Sequence, residues 1–313
     1  MKNQSFDVAI KDTEGNYYRP TLEGLIIRSL STSSINDNVV FAGIKGGKAG
    51  DGKVAMSMDH GKHWTYLNKG LALSEATVDV QTIEQSPHDK SIIYAGTWKN
   101  GLYKSIDGGN SFKRVENFPS KDIRSILFNT KNINEIIVAT TSHGVVSSFD
   151  KGENWVVSEE GQAGIFKGIW KFEQSIHNEN MIYALTFKEG LYKSMDFGKS
   201  WVKVLDVPSM IFALGWKGEN ILYCSTTNGK ESFLYKSIDS GNSFEQIENK
   251  NEDLMRSFLT WNDKFYIGGQ TGLYELHNEE LIKSELISPF RTCLLYTSPS
   301  PRDATLSRMP SSA

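Results

Sequence analysis

Ser105-Ile-Asp107-Gly-Gly109-Asn-Ser-Phe112 decides the fold, because the chain writes it five times. The same frame stands at Ser57-Met-Asp59-His-Gly61-Lys-His-Trp64 and at Ser148-Phe-Asp150-Lys-Gly152-Glu-Asn-Trp155. It returns at Ser194-Met-Asp196-Phe-Gly198-Lys-Ser-Trp201 and at Ser237-Ile-Asp239-Ser-Gly241-Asn-Ser-Phe244. Successive copies are 48, 43, 46 and 43 residues apart. A period of that length, filled with short strand-like runs, is blade length in an all-β propeller of four-stranded blades. The chemistry of the frame is that of a turn. Short Ser and Asp side chains accept bonds from nearby backbone N–H groups, and Gly tolerates positive φ. The closing Trp or Phe starts the next strand and buries a large ring between sheets.

Each turn sits in a constant frame, best seen in blade two. Val78–Gln85 alternates as the inner strand, and Ser86-Pro-His-Asp-Lys90 turns. Ile92–Thr97 forms the second strand and Trp98-Lys-Asn-Gly101 a loop. Leu102–Ser105 is the third strand, and Phe112–Glu116 follows the turn as the fourth. Blades span about 24–69, 76–118, 121–160, 164–207, 209–249 and 254–287. In the sixth, His277-Asn-Glu279 replaces the turn motif. A seventh begins at Pro289-Phe-Arg291, so the expected ring has seven blades, with six closed blades as the competitor. Residues 1–23 read as a partial outer strand or the remnant of a blade.

The pattern S-x-D-x-G-x-x-[WF] resembles the Asp-box, or BNR repeat. It is similar to that of sialidases, sortilin-type receptors, xyloglucanase-like glycoside hydrolases and photosystem II assembly propellers. The resemblance covers roughly residues 24–250. It implies a structural role for the five box aspartates, on the face opposite the ligand site.

The C-terminal residues 293–313, CLLYTSPSPRDATLSRMPSSA, have no blade pattern. They resemble the conceptual translation of a sequencing adapter, so native sequence is expected to stop near Thr292 and continue elsewhere. Without them Cys224 is the single cysteine, which removes any internal disulfide. The 313-residue chain carries a formal net charge of −3 and 39% hydrophobic residues, a balance that does not favour nucleic acid. No apolar run reaches the roughly 18 residues of a membrane span. The N-terminus lacks a signal-peptide core, which points to the cytoplasm unless the start is incomplete. A monomer is expected.

Function is sought at the other end of the blades. Aligning the starts of the inner strands gives the column Arg28, Gln81, Arg124, Lys167, Ala213, Arg256, Arg291. Excluding the tail, the chain has six arginines, and four fall here. Arginine's planar fork suits carboxylate, sulfate or phosphate, so the column reads as a cationic mouth for an anionic peptide, protein or glycan. The competing reading is solvation of the channel wall or pairing with acids of adjacent blades, such as Asp79, Asp122 and Asp253. On the same face Trp98-Lys99 and Phe187-Lys188 offer a ring beside a cation, or simply interblade packing. The glycine-rich run 45–52 reads as a rim loop.

Two enzyme classes are implied by the resemblance. A sialidase needs three arginines, a Tyr/Glu pair and an acid. The Arg-Ile-Pro motif is absent, and only Tyr18-Arg19-Pro20 echoes it. A xyloglucanase-like enzyme needs two opposed carboxylates, for which Asp79 and Asp122 are the nominees. Solvation at the strand start is the preferred reading of both. His60, His63, His88, His143, His177 and His277 lack metal-ligand spacing, so no metal or cofactor is expected.

Overall fold

The computed structural model describes residues 10–11, 17–19, 25–45, 53–67, 69–71, 78–157, 168–247, 253–261, 264–269, 271–277 and 280–283. Lys167, Arg291, most of the glycine-rich loop, the start of a seventh blade and residues 293–313 lie outside them. All described regular structure is β-strand, arranged as six antiparallel sheets. Among the described residues no helix is long and apolar enough to cross a membrane.

The first sheet runs Ile27–Thr32, Val40–Ile44, Lys53–Ser57, Trp64–Tyr66 in chain order. Tyr17–Arg19 and then Ile10–Lys11 extend its outer edge, with Tyr18 opposite Thr65. The second runs Asp79–Gln85, Ile93–Trp98, Leu102–Ser105, Lys113–Arg114. The third runs Ile123–Phe128, Ile136–Thr140, Gly144–Ser148, Val156–Val157. The fourth comprises Ile169–Gln174, Ile182–Thr186, Leu191–Ser194, Val202–Leu205. The fifth comprises Met210–Trp216, Leu222–Thr227, Ser232–Ser237, Glu245–Ile247. The sixth comprises Ser257–Trp261, Lys264–Gly268, Leu273–His277, Glu280–Lys283. In the sixth, His277 lies opposite Glu280 in the ladder.

The chain divides into two compact units. One comprises the residues up to Val138 with Ser147–Trp155, and the other Ala139–Val146 with the residues from Val156 on. In the first unit, Phe41 and Val54 of sheet one pack against Val80, Ile83, Ile93 and Ala95 of sheet two. In the second, Tyr183, Leu185 and Leu191 meet Ile211, Leu214 and Leu222. Tyr223 and Leu234 in turn meet Phe258, Phe265 and Ile267. Both faces of the middle strands are therefore buried, which is why they read as unbroken apolar runs such as Ile182–Thr186.

All five boxes have one geometry. The Ser hydroxyl donates to the Asp Oδ1 at 2.7–2.9 Å and accepts the Gly N–H at 2.8–2.9 Å. The same Oδ1 accepts the N–H four residues on, from His63, Ser111, Asn154, Ser200 or Ser243. Oδ2 takes that residue's side chain at 2.5–2.7 Å. The residue after the Asp is left-handed, at φ 59° for His60 and 72° for Gly108. Its N–H donates at 2.9–3.1 Å to the turn between strands one and two of the same blade. These donors hold the carboxylates low. The Ser111 side chain and N–H, then Ser105, bring Asp107 to about 2, and Asn154 does the same for Asp150.

Adjacent blades are locked through the boxes as well. The Lys193 ammonium donates to the Ser240 carbonyl at 2.7 Å and to Asn242 Oδ1 at 2.9 Å in the next box. Tyr183 donates to the same carbonyl at 2.7 Å. Gly152 is left-handed, and a Cβ there would collide with the Tyr94 hydroxyl of the preceding sheet. The repeated third-strand lysine and the box glycine are thus interblade contacts.

Replacing Asp107 with Ala strips the turn of its acceptor and should lower the melting temperature by a few degrees, measured by circular dichroism at pH 7. The wild-type advantage is present above the ordinary carboxylate value near 4 and is lost as pH falls toward 2. The two melting curves should therefore converge in acid.

Candidate functional site

The inner strands begin irregularly. Register slips between Ile27 and Ser29, Val80 and Thr82, Ile169 and Lys171, and Ile211 and Ala213. The extra residues are Arg28, Gln81, Trp170 and Phe212. A bulge leaves its residue out of the ladder and re-aims the side chain. Arg124 and Arg256 occupy the matching sequence slot in Ile123-Arg-Ser and Met255-Arg-Ser.

This geometry corrects the column in blades four and five. Ala213 is paired with Ser225 and buried, so Phe212 holds the slot. In blade four the slot is Trp170, three residues beyond Lys167. The bulge adds one residue without changing the apolar alternation that follows it.

In the first unit the charged residues meet. Arg28 donates from Nε to Asp79 Oδ1 and from Nη2 to Asp79 Oδ2, both at 3.1 Å. Arg124 donates from Nη1 to Gln81 Oε1 at 3.2 Å, and its guanidinium lies 4.3 Å from the centre of the Trp98 ring. Trp98 stays 40% exposed. In the ladder Asp79 stands opposite Trp98, and an isolated bridge sets Lys45 against Asp79. Burial pushes the Arg124 guanidinium down, Asp122 and Asp79 oppose this, and Arg28 adds to it, so the two arginines share one field.

The loop after Trp98 is held firmly. Lys99 is left-handed at φ 70°, and among the described non-glycine residues it alone has this conformation outside a box. Its N–H donates to Asp122 Oδ1 at 3.0 Å. Gly101 N–H donates to the Lys121 carbonyl at 3.0 Å, and the Thr97 hydroxyl donates to the Gly101 carbonyl at 2.7 Å. Thr140, Thr186 and Thr227 close their loops in the same way, a signal in the sequence that went unread. A left-handed lysine is a strained conformation held by its surroundings, as is common where loops bind ligands.

Asp79 and Asp122 therefore each have a structural engagement, one on Arg28 and the other on the Lys99 amide. Around these two carboxylates the side chain of Arg28 pairs with Asp79, the backbone of Lys45 bridges to Asp79, and the backbone N–H of Lys99 reaches Asp122.

In the second unit the bulged positions are aromatic. Trp170 donates from Nε1 to the Ile211 carbonyl at 2.6 Å and meets Phe212 edge-on at 5.5 Å. The Arg256 guanidinium lies 5.2 Å from the centre of the Phe212 ring. Phe187 is half-buried against Gly168, with its N–H on the Gly168 carbonyl, while Lys188 is exposed. Among the described residues no group of three or more His, Cys, Asp or Glu is placed to hold a metal ion.

One inner-strand acid was not anticipated. Glu84 retains some accessible surface, but its carboxyl is closely surrounded by protein, and that burial pushes it up to about 8. At the same register in sheet four, Glu173 forms an ion pair with Lys171, whereas sheet two has Thr82 in the lysine's place.

A family model described as sortilin, neurotensin receptor 3, matches residues 52–190. The GH74 xyloglucanase of Xanthomonas campestris is similar over 81% of this chain and 45% of its own, at 14% identity and a TM-score of 0.63. The extracellular domain of a hybrid two-component system from B. thetaiotaomicron is similar over 88% of this chain and 36% of its own, at 15% identity and 0.64. The chain is a β-propeller. A computationally designed protein, Ika8, has a similar structure over 86% of this chain and 78% of its own, at 13% identity and 0.57. No curated protein matches the chain in sequence. The propeller spans less than half the length of the xyloglucanase and of the extracellular domain. An enzyme, a sensor ectodomain and a design share the fold, so the fold does not choose a function.

Glu84 gives a pH signature. Its carboxyl holds a proton in the folded state up to about pH 8, while the unfolded chain releases it near 4.5. This group's contribution therefore falls as pH rises between those values. Glu84→Gln should flatten the pH dependence of the melting temperature between pH 5 and 8 and raise it at pH 8.

Proposed function

We propose that this propeller is a non-catalytic recognition module that binds an anionic peptide, protein or glycan at the starts of its inner strands. One observation carries the reading: Arg124 lies on the exposed Trp98 ring, beside an Arg28 fixed by Asp79. The backbones of Lys45 and Lys99 lie next to Asp79 and Asp122, which brings two lysines into the same stretch of the blade ends. The donors are fixed before ligand arrives, which lowers the ordering cost of binding. The stacked Trp98 offers a rigid surface for whatever carries the anion.

Glycoside hydrolysis of the sialidase or xyloglucanase type is the weaker reading. It calls for two carboxylates facing a scissile bond, one of them able to give up a proton. Asp79 has both oxygens on Arg28, and Asp122 holds a backbone amide. Both carboxylates are thus already engaged by donors of the protein itself.

Binding should be measured against polyglutamate, polygalacturonate and dextran sulfate at low and high salt. The expected result is salt-sensitive binding of at least one polyanion, weakened about tenfold or more by Arg124→Met with Trp98→Ala while the melting temperature is retained. Failure to bind any of them would contradict the reading. So would hydrolysis of xyloglucan or a sialoside that depends on Asp79 or Asp122.

A further inference from the structure

Arg28 has two edges able to grip an oxyanion. A guanidinium carries five N–H donors, and Asp79 takes the pair formed by Nε and Nη2. The second edge, from Nη1 to the remaining hydrogen of Nη2, is oriented by that same ion pair. Among the described residues Arg28 has no other hydrogen-bond or ion-pair partner. Its side chain is 32% exposed, whereas that of Asp79 is 17% exposed. The carboxylate is thus the more enclosed partner, and the arginine keeps the larger exposed share. The bulge at Arg28 takes the residue out of the ladder and makes this possible.

Resting on the anion-binding reading, we infer that this second edge of Arg28 is a seat for a carboxylate, presented by the acidic side chains of an extended peptide. Asp79 is its positioning residue. The edge is planar and forked, and it matches the two oxygens of a carboxylate. Asp79 and Asp122 lie within the same cluster, so a second negative charge on one ligand group adds repulsion. A singly charged carboxylate suits this field better than a phosphomonoester dianion.

The other cations argue for a chain of acids. Lys45 flanks Asp79 in the ladder, and Lys99 follows the ring opposite it. One carboxylate occupies the Arg28 fork and leaves both lysines for others. Acidic side chains two residues apart on an extended peptide lie about 7 Å from each other, which lets one segment meet successive cations. The Arg124 guanidinium is committed to Gln81 and the Trp98 ring, and it serves as the platform's support.

The test uses the full chain and four decamer probes in calorimetry at low salt: alternating Glu-Gly, its Gln analogue, its phosphoserine analogue, and a galacturonate oligosaccharide. The Glu peptide should bind best and the Gln peptide should not bind. Arg28→Lys keeps the charge and loses the fork, and it should weaken binding about tenfold, as Arg28→Met does. Lys45→Met and Lys99→Met should each cost about two- to threefold. Asp79→Asn is the sharpest arm. Removing a negative charge strengthens anion binding if Asp79 is only a neighbour, whereas loss of positioning weakens it. Tighter binding by Asp79→Asn, unchanged binding by Arg28→Lys, or preference for the phosphopeptide or the oligosaccharide would overturn the inference while leaving anion recognition standing. Absence of binding by every probe would overturn both. Melting temperatures confirm that each variant is folded.

Discussion

The box carboxylate is the constraint on which the rest depends. Five times it gathers a hydroxyl, the N–H four residues on and that residue's side chain onto two oxygens, and the residue after it takes a left-handed conformation. That turn does more than reverse the chain. It fixes the third and fourth strands of its own blade and bonds to the turn between strands one and two. It also offers a carbonyl to the previous blade's lysine, as Ser240 does for Lys193. Sheet order and interblade packing follow from one local network, and the strength of that network comes from keeping the carboxylate ionised. A motif so committed to turn geometry has little capacity left for chemistry.

The opposite end of the blades obeys a different constraint. There the inner strand is bulged, and the extra residue escapes the ladder. That residue lies outside the alternation that governs the strand, so Arg28, Gln81, Trp170 and Phe212 occupy it while the ladder continues beyond. Polar and charged side chains gather in the first unit and aromatic ones in the second. Arginine there is accompanied: Asp79 orients Arg28, and Trp98 supports Arg124.

The fold was legible in the sequence because the box is local. Its donors and acceptors lie within four residues, so S-x-D-x-G states its own hydrogen bonds. Blade two was read correctly strand by strand for the same reason. The site was legible only in part. Arg28, Arg124 and Arg256 stood out by rarity and context, and Asp79 was visible as a neighbour. Their pairing depended on contacts between blades some 50 residues apart, which no spacing reports. Blades four and five were misaligned because a bulge inserts a residue silently, leaving Ile211 and Leu214 in apolar positions on either side of it. Glu84 escaped notice because a Glu in an alternating strand reads as solvent-facing. Only the missing lysine, Thr82 where blade four has Lys171, hinted at its different environment.

The proposed function separates two roles within one repeat, turn chemistry at one end of each blade and, as proposed, ligand recognition at the bulge. A crystal structure of the chain with a bound acidic peptide tests that separation most directly. The account predicts a ligand carboxylate against Nη1 and Nη2 of Arg28, with the Asp79 pair intact and no ligand on the box turns. A peptide seated on the boxes, or one that displaces Asp79 to reach Arg28, would contradict it.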